Sequence, residues 1–207
     1  QLTVTAYLDL ADRYHQDFKD ELENKEFDRY LLDQISDSLD ENAVILDAGC
    51  GPSAQVTKYL SEKGNRMVGA DICPKCIEIA SEYLPVADFV LTDMRSSSFS
   101  EESFDAIIAM HSIIHTPKNF SYQFFREFKN LLKPGGRLLI VVKKGKDEGI
   151  VTGDWWEKHE IYFSHFMEKE LRNLAEEYDF QVDLLETRKP YEAEIDLDRI
   201  YLLCTKK

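Results

Sequence analysis

Two glycines and an acidic residue have the types and spacing of a ligand site in an α/β protein. The stretch VILDAGCGPSA places Gly49 and Gly51 after a predicted buried strand and before a predicted helix. Glycine lets a ligand approach the backbone closely, and a helix N-terminus offers unpaired N–H groups to a polar or anionic group. Asp71 follows Gly51 by 20 residues, the offset at which nucleotide-binding sheets place the acidic residue that binds a ribose. The spacing therefore favours a nucleotide-type ligand over a tight turn without a ligand.

Two further acidic residues discriminate between nucleotide ligands. Asp47 ends the strand before the glycines, where a dinucleotide site usually has a small or apolar residue. A carboxylate at this position repels a pyrophosphate and attracts a cationic group. Asp93, in LTDM, ends the third predicted strand, so it is expected at the same sheet edge as Asp47 and Asp71. These acids favour a ligand with a cationic part, and a nicotinamide dinucleotide stays open as an alternative.

A pair of cysteines follows Asp71 and raises a second chemical possibility. Cys73-Pro74-Lys75-Cys76 matches the C-P-x-C of dithiol redox enzymes and begins a predicted helix, where the pKa of a thiol is lowered. A structural zinc site requires four ligands, and no second C-x-x-C follows at the spacing found in zinc fingers. We favour a structural role, with Cys73 at the N-cap, Pro74 at the first helical position and Cys76 against the sheet. No metal ligands are predicted.

Histidines and aromatic residues beyond the fourth predicted strand are the remaining candidates for chemistry. His111 and His115, in MHSIIHTPKNF, either contact a substrate or serve as hydrogen-bonded loop residues. His159 and His165 are candidates in a later aromatic segment, whereas His15 is expected on a solvated helix face. Five aromatic residues of that segment either shape a pocket that suits a cationic amine or pack as a lid: Trp155, Trp156, Tyr162, Phe163 and Phe166. The acidic block YEAEIDLD is interpreted as a solvated loop.

The elements that must position these residues are typical of a parallel sheet covered by helices. From Thr5 to about Leu39 apolar residues recur at helical spacing. Strands are then predicted at AVILDA, RMVGAD, VADFVLTD, FDAIIAMHS and RLLIVVK, separated by helices over about 53–63, 74–84 and 119–132, with KPGG as a turn. After a helix over about 167–178, FQVDLLETR and RIYLLCTK follow without a helix between them and should pair antiparallel.

Composition restricts the classes of partner. The 207 residues fit one domain, and a net charge of −14 repels the phosphates of nucleic acids and of anionic lipids. The longest apolar runs, AIIAM and LLIVV, are far shorter than the roughly 20 residues of a membrane span. No signal-peptide pattern opens the chain, and its start at Gln1 indicates a trimmed chain or a fragment. Four cysteines form no dense disulfide framework, so a cytoplasmic location without nucleic-acid or membrane partners is expected.

Five segments, taken in order, resemble the motifs of class I S-adenosylmethionine-dependent methyltransferases: VILDAGCGPSA, GADI, LTDM, FDAIIAMHSIIH and LLKPGGRLLI. The resemblance is dense over about residues 40–143. It implies a Rossmann-like α/β fold whose seven-stranded sheet is mostly parallel, with helices on both faces and an antiparallel last strand between the fifth and sixth. The single domain, 1–207, would then comprise an N-terminal helical cap (1–40), a cofactor-binding core (41–143), a substrate lid (144–166) and a C-terminal helix with an antiparallel hairpin (167–207).

The same resemblance implies a cofactor and the residues that bind it. S-adenosyl-L-methionine would be bound, and S-adenosyl-L-homocysteine would be the product. Asp47 would lie near the ammonium group, Asp71 would bind the ribose hydroxyls, and Asp93 would bind the adenine amino group. Ile72 would pack on the adenine. The complete set implied as cofactor-binding is Asp47, Gly49, Cys50, Gly51, Asp71, Ile72, Asp93, Met94, Met110 and His111.

The expected function is methyl transfer to an O or N atom of a small molecule by in-line displacement. The candidate catalytic residues are His111, His115 and Tyr14, the last resembling the N-terminal aromatic residue that closes over the cofactor. Positioning supplies roughly 7–11 kcal/mol and a general base about 3–5 kcal/mol, so no base is obligatory. A protein methyltransferase, a non-catalytic S-adenosylmethionine-binding module and an NAD(P)-dependent oxidoreductase remain alternatives. The oligomeric state is left open.

Overall fold

The computed structural model describes residues 2–192 and 194–207. Helices and strands alternate through its first two thirds: α1 (Leu2–Phe18), α2 (Glu26–Asp37), β1 (Val44–Ala48), α3 (Gln55–Glu62), β2 (Arg66–Asp71), α4 (Pro74–Tyr83), β3 (Asp88–Leu91), β4 (Phe104–Met110), α5 (Ser121–Leu131) and β5 (Leu132–Lys143). The remaining elements are β6 (Glu148–Val151), β7 (Ile161–Ser164), α6 (Glu168–Glu177), β8 (Phe180–Arg188) and β9 (Arg199–Lys206).

Seven of these strands form one sheet in the order β3-β2-β1-β4-β5-β9-β8. The pairs among β1 to β5 are parallel, whereas β9 is antiparallel to both β5 and β8. β9 therefore lies between the fifth strand and β8, and the expected fold is confirmed: a Rossmann-like, mostly parallel seven-stranded sheet whose last strand is antiparallel. The predicted pairing of FQVDLLETR with RIYLLCTK is also confirmed.

Both faces of the sheet are covered by helices. Ile107 faces a core that includes residues of α1, α5 and α6, whereas Ile108 faces a core with residues of α2 and α3. Successive residues of a strand point to opposite faces, so a strand buried on both faces needs a nearly continuous apolar run. The apolar runs of the sequence are therefore consistent with this layered architecture.

Three local predictions differ from the structure. KPGG lies within the bounds of β5 rather than in a separate turn. It forms an irregularity of the strand, since the pairing of β5 with β4 shifts register there and Gly135 has a φ of +78°. The third strand is shorter than VADFVLTD. The segment 144–166 contains the antiparallel hairpin of β6 and β7, whose strands of four residues are too short to give a detectable alternation.

Two surface predictions were wrong. The ring of His15 packs against that of Tyr83, 4.6 Å between centroids, because α1 lies against α4 and the histidine is not on a solvated face. The block YEAEIDLD is not simply a solvated loop, since the Glu194 side chain is 3% exposed and pairs with Lys25 at 3.4 Å and Arg188 at 3.0 Å. In residues 2–192 and 194–207, no helix is both long and apolar enough to cross a membrane.

Candidate functional site

A cavity of about 570 Å³ opens beyond the carboxyl ends of β1, β2 and β4. Ligands of open α/β sheets bind at this edge, and the volume is typical of small-molecule sites, which span about 300–1,000 Å³. The fold brings every cofactor and catalytic candidate to its wall: Tyr14, Asp47, Gly49, Cys50, Gly51, Asp71, Ile72, Asp93, Met94, Met110, His111 and His115. The roles of these residues toward a ligand remain predictions.

Asp71 holds the glycine loop and the beginning of α4 in place. Its Oδ2 accepts a hydrogen bond from the Gly51 N–H at 3.0 Å, and its Oδ1 accepts one from the Cys73 N–H at 2.8 Å. Burial raises the pKa of the carboxyl, and these N–H donors oppose the shift. Each carboxylate oxygen has a second lone pair, so Asp71 retains the capacity to accept two hydroxyl donors of a ribose.

Asp47 is a buried carboxylate at the end of β1, with 3% of its surface exposed. Its Oδ2 accepts hydrogen bonds from the Thr57 Oγ1 at 2.7 Å and the Thr57 N–H at 3.2 Å. Burial raises the pKa of Asp47 to about 7, with Asp71 adding to the rise and the Thr57 donors opposing it. Its Oδ1 accepts no hydrogen bond from the residues described. A buried carboxylate is stabilised by a cationic partner, so the site suits an ammonium group.

Asp93 already has a strong partner within its own turn. Its carboxylate accepts hydrogen bonds from the Arg95 Nε at 3.0 and 3.1 Å, the Arg95 Nη2 at 2.5 Å and the Arg95 N–H at 2.9 Å. This pairing lowers the pKa of Asp93 against the opposing effect of partial burial. Arg95 also lines the cavity, so an adenine amino group would share Asp93 with this guanidinium.

His111 follows β4 in a conformation that non-glycine residues rarely adopt, with a φ of +57°. Such strain is found disproportionately at functional sites. Its Nδ1 is buried and has no hydrogen-bond partner among the described residues. Burial holds the pKa of the imidazole well below 6.5, and four cations lower it further: Lys25, Lys143, Arg199 and Arg188. His111 is therefore a neutral ring at physiological pH.

His115 and Tyr14 sit in an aromatic wall of the cavity. The His115 Nδ1 lies 3.1 Å from the carbonyl oxygen of Tyr162, which fixes the proton on Nδ1, and burial lowers the pKa of His115 to about 4. The Tyr14 ring lies 4.8 Å from Phe18 and 5.9 Å from Trp155, and burial raises the pKa of its hydroxyl. The contacts of His115 fit those of a residue that anchors its loop.

The segment 144–166 docks on α1 beside the cavity. The Trp155 Nε1 donates a hydrogen bond to the Asp17 Oδ2 at 3.2 Å, and the His159 Nε2 lies 3.2 Å from the Asp9 Oδ2. His159 and His165 do not line the cavity, so neither is placed for substrate contact. Of the aromatic candidates, three line the cavity, namely Trp155, Trp156 and Phe163, whereas Tyr162 and Phe166 do not.

Several residues that line the cavity or support its wall went unnoticed in the sequence. Thr57 orients Asp47 through a hydrogen bond. Its position in the first turn of the helix after the glycine loop could have indicated this role. Five charged residues gather on the β5 side of the cavity, away from Asp47 and Asp71: Glu21, Lys25, Lys143, Glu194 and Arg199. Lys143 gave a signal of its own, because it terminates the apolar run of a buried strand at the ligand-binding edge.

The two helix-start cysteines have structural surroundings. Cys73 is the N-cap residue of α4 and Pro74 occupies the first turn, as predicted. Cys76 is 1% exposed and packs with Cys73 and with Ala11 of α1, so the expectation that it faces the sheet was wrong. A hydrogen bond with Cys76 lowers the pKa of the Cys73 thiol to about 7. All four cysteines of the chain are free thiols.

We expect replacement of both Cys73 and Cys76 with serine to leave S-adenosylhomocysteine binding nearly intact. The change in Kd should stay below about threefold, because no hydrogen bond of Asp71 uses a thiol. Calorimetry measures this affinity, and the thermal midpoint reports the separate cost of burying two hydroxyls. A loss of binding beyond tenfold would instead assign the thiols a functional role.

The described part of the chain contains no cluster of residues suited to a metal centre. No group of three or more His, Cys, Asp or Glu residues there is arranged to hold a metal ion. The candidate site is thus built from carboxylates, neutral histidines, aromatic rings and a cationic end. Such a set can bind a nucleoside with a cationic arm and hold a second small molecule beside it.

Comparisons with known proteins agree with this chemistry. Residues 46–140 match the family described as methyltransferase domain. The 2-methyl-6-phytyl-1,4-hydroquinone methyltransferase of Synechocystis sp. is 29% identical over 125 residues, which cover 59% of this chain and 39% of that protein. The chain spans less than half the length of the first curated relatives it matches. Curated relatives also include proteins named for methyl or carboxymethyl transfer to rRNA and tRNA.

Solved structures share the architecture at low identity. A SAM-dependent methyltransferase from Methanosarcina mazei has a TM-score of 0.75 and 21% identity, covering 84% of this chain and 96% of that chain. The 1,6-didemethyltoxoflavin-N1-methyltransferase of Burkholderia thailandensis, solved with 1,6-didemethyltoxoflavin and S-adenosylhomocysteine, has a TM-score of 0.68 and 20% identity, covering 94% and 84%. At these identities the likeness establishes the fold.

Proposed function

The chain belongs to the class I S-adenosylmethionine-dependent methyltransferases, and from this premise we propose that it methylates an O or N atom of a small molecule. The observation that carries the proposal is the arrangement of Asp47, Asp71 and the glycine loop around one cavity. Two carboxylates at these strand ends suit a nucleoside with a ribose and a positively charged amino acid arm, which S-adenosylmethionine provides.

Different residues of the chain would bind the cofactor and orient the acceptor. S-adenosylmethionine supplies, when bound, a sulfonium methyl group that a nucleophile displaces in line. Asp71 accepts the ribose hydroxyls, Asp47 neutralises the ammonium group, and Ile72, 42% exposed at the cavity, offers the adenine an apolar face. His111 presents a neutral imidazole whose free nitrogen lone pair accepts a hydrogen bond from an O–H or N–H nucleophile and so orients it. The aromatic lid excludes water from the reacting groups.

A small molecule is the acceptor that the surface favours. The net charge of −14 repels the phosphate backbone that dominates nucleic-acid binding. The cavity is enclosed by α1 and by the segment 144–166, which suits an acceptor smaller than a folded macromolecule. An NAD(P)-dependent oxidoreductase is disfavoured because the Asp47 carboxylate would face the pyrophosphate.

Calorimetry with S-adenosylhomocysteine and, separately, with NAD+ and NADH tests the class of cofactor. We expect binding of S-adenosylhomocysteine only, and binding of NAD+ or NADH alone would overturn the proposal. A radiolabelled methyl donor incubated with fractionated metabolite, RNA and protein extracts then identifies the acceptor class. Label should enter the metabolite fraction, whereas binding with no label transfer identifies a non-catalytic module.

We also expect S-adenosylhomocysteine binding to weaken as the pH falls through about 7. Asp47 has a pKa of about 7 without ligand, and an ammonium group would lower that pKa in the complex. The affinity is therefore complete above pH 7 and falls by up to about tenfold per pH unit below it. Calorimetry from pH 5.5 to 8.5 measures the slope.

The Asp47→Asn variant serves as the control for this dependence, since it should bind weakly with little change across the range. Cys73 also has a pKa of about 7, so the double serine variant checks that the slope is independent of the thiols. A slope that survives in Asp47→Asn would assign the titration to another group.

A further inference from the structure

Lys143 and Arg199 form a like-charged pair at the end of the central sheet. They lie directly opposite each other where β5 pairs with β9. Residues opposite one another in an antiparallel pair extend from the same face with Cβ atoms about 4.5–5.5 Å apart, and like charges there are destabilising. Both side chains line the cavity. The repulsion needs an anion close by to offset it.

The carboxylates near this pair contact cations other than Lys143. Glu194 lies 3.4 Å from the Lys25 Nζ, 3.0 Å from the Arg188 Nη1 and 3.7 Å from the Arg199 Nε. Glu21 pairs with Lys25 at 2.9 Å. Among residues 2–192 and 194–207, Lys143 makes neither an ion pair nor a hydrogen bond through its Nζ. Its ammonium instead lies 4.9 Å above the ring of Phe163, a cavity-lining aromatic residue.

The ammonium group of Lys143 is charged at neutral pH and partly withdrawn from water. Burial is the main cause that lowers its pKa to about 8, and the net effect of the surrounding charges is smaller. The charged or titratable groups that face it come from several elements: Glu21, Lys25, His111, His115, His165, Glu194 and Arg199. A half-buried ammonium without a carboxylate partner is a binding site for an anionic ligand.

We propose that Lys143 binds an anionic group, a carboxylate or a phosphate, of the methyl acceptor at this end of the cavity. The inference rests on the proposed function, because it assigns the acceptor to the space that the cofactor residues leave free. Asp47 and Asp71 lie at the ends of β1 and β2, whereas Lys143 lies at the end of β5, beyond His111, which follows the intervening β4. An acceptor anchored at Lys143 therefore extends from the cationic end toward the neutral imidazole of His111.

Matched pairs of small aromatic probes test this assignment on protein saturated with S-adenosylhomocysteine. Benzoate, phenylacetate and phenyl phosphate are compared with benzamide, phenylacetamide and benzyl alcohol by ligand-observed NMR and calorimetry. We expect at least one acid to bind about tenfold or more tightly than its neutral counterpart. Whether benzoate or phenyl phosphate binds better distinguishes a carboxylate acceptor from a phosphate acceptor.

Substitutions then test whether Lys143 causes the tighter binding of acids. Lys143→Met should abolish the preference for an acid over its neutral counterpart and leave S-adenosylhomocysteine affinity unchanged. Lys146→Met removes the same charge from an exposed position and should retain that preference. In wild type the affinity for the acid should fall as the pH rises through about 8, because Lys143 loses its charge there. Lys143→Arg should keep the preference without that fall, since the guanidinium stays charged.

Each outcome bears on one of the two proposals. The inference is overturned if no acid binds, if acids bind no better than their neutral counterparts, or if Lys143→Met keeps the preference. Wild-type protein that fails to bind S-adenosylhomocysteine overturns the proposed function instead. Normal S-adenosylhomocysteine binding by Lys143→Met shows that this variant folds.

Discussion

Replacing Asp71 with alanine is expected to weaken S-adenosylhomocysteine binding by tens-fold or more. The proposed ribose contacts are two hydrogen bonds to a charged acceptor, each worth roughly 1.5–3 kcal/mol. The same substitution deprives the Gly51 and Cys73 N–H groups of their acceptor, so the glycine loop loses the contact that holds it against α4. Both effects act in the same direction, and isothermal titration calorimetry measures their sum.

Two further variants make the Asp71 result specific. Asp71→Asn retains one acceptor oxygen, so its affinity should fall between those of wild type and Asp71→Ala. Asp88→Ala removes an exposed carboxylate at the beginning of β3 and should leave the affinity unchanged. Unchanged affinity in Asp71→Ala would refute the ribose assignment, and an equal loss in Asp88→Ala would point to a nonspecific effect of charge.

Gly49→Ala is expected to destabilise the fold by about 2–4 kcal/mol and to abolish measurable S-adenosylhomocysteine binding. Gly49 has a φ of +85°, which an L-residue adopts at a cost. An added Cβ would also lie 2.2 Å from the Ser112 Cβ, so the glycine loop or the segment after β4 must move. Both segments line the cavity, and the displacement therefore reaches the residues proposed to bind the cofactor.

Gly64→Ala separates the clash from the backbone strain. Gly64 has a φ of +93° but no atom within 4 Å of an added Cβ, so only the strain of about 1–2 kcal/mol applies. This variant should lower the thermal midpoint slightly and bind S-adenosylhomocysteine normally. Gly49→Ala combined with Ser112→Gly removes the clashing Cβ and should recover part of the lost stability. Equal behaviour of the Gly49 and Gly64 variants would show that Ser112 does not constrain the loop.

The alternation of elements could be predicted because it depends on local patterns. A strand buried on both faces needs an apolar run of four to eight residues, and each such run of the core marked a strand of the sheet. The antiparallel placement of β8 and β9 followed from the absence of a crossover helix. The hairpin of β6 and β7 was missed because its strands are short and Glu148 and Gly149 interrupt their alternation.

The packing of individual side chains was harder to predict. His15 and Cys76 have sequence neighbours that fit a solvated helix face and a sheet-facing turn, yet α1 lies on α4 and covers both. The acidic block around Glu194 has the composition of a solvated loop. Its carboxylate is instead buried among Arg188 and Arg199, which end β8 and begin β9, and Lys25, which precedes the distant α2.

The sequence by itself determined which residues meet at the proposed cofactor end of the cavity. Asp47 and Asp71 lie at the carboxyl ends of β1 and β2, and His111 directly follows β4. Parallel strands end at one edge of a sheet, so chain order alone brought these residues together. The tertiary structure alone decided the cationic end, because the pairing of β5 with β9 sets Lys143 opposite Arg199. Which charges face one another depends on strand register and on loops packed from distant segments, and a one-dimensional pattern does not specify either.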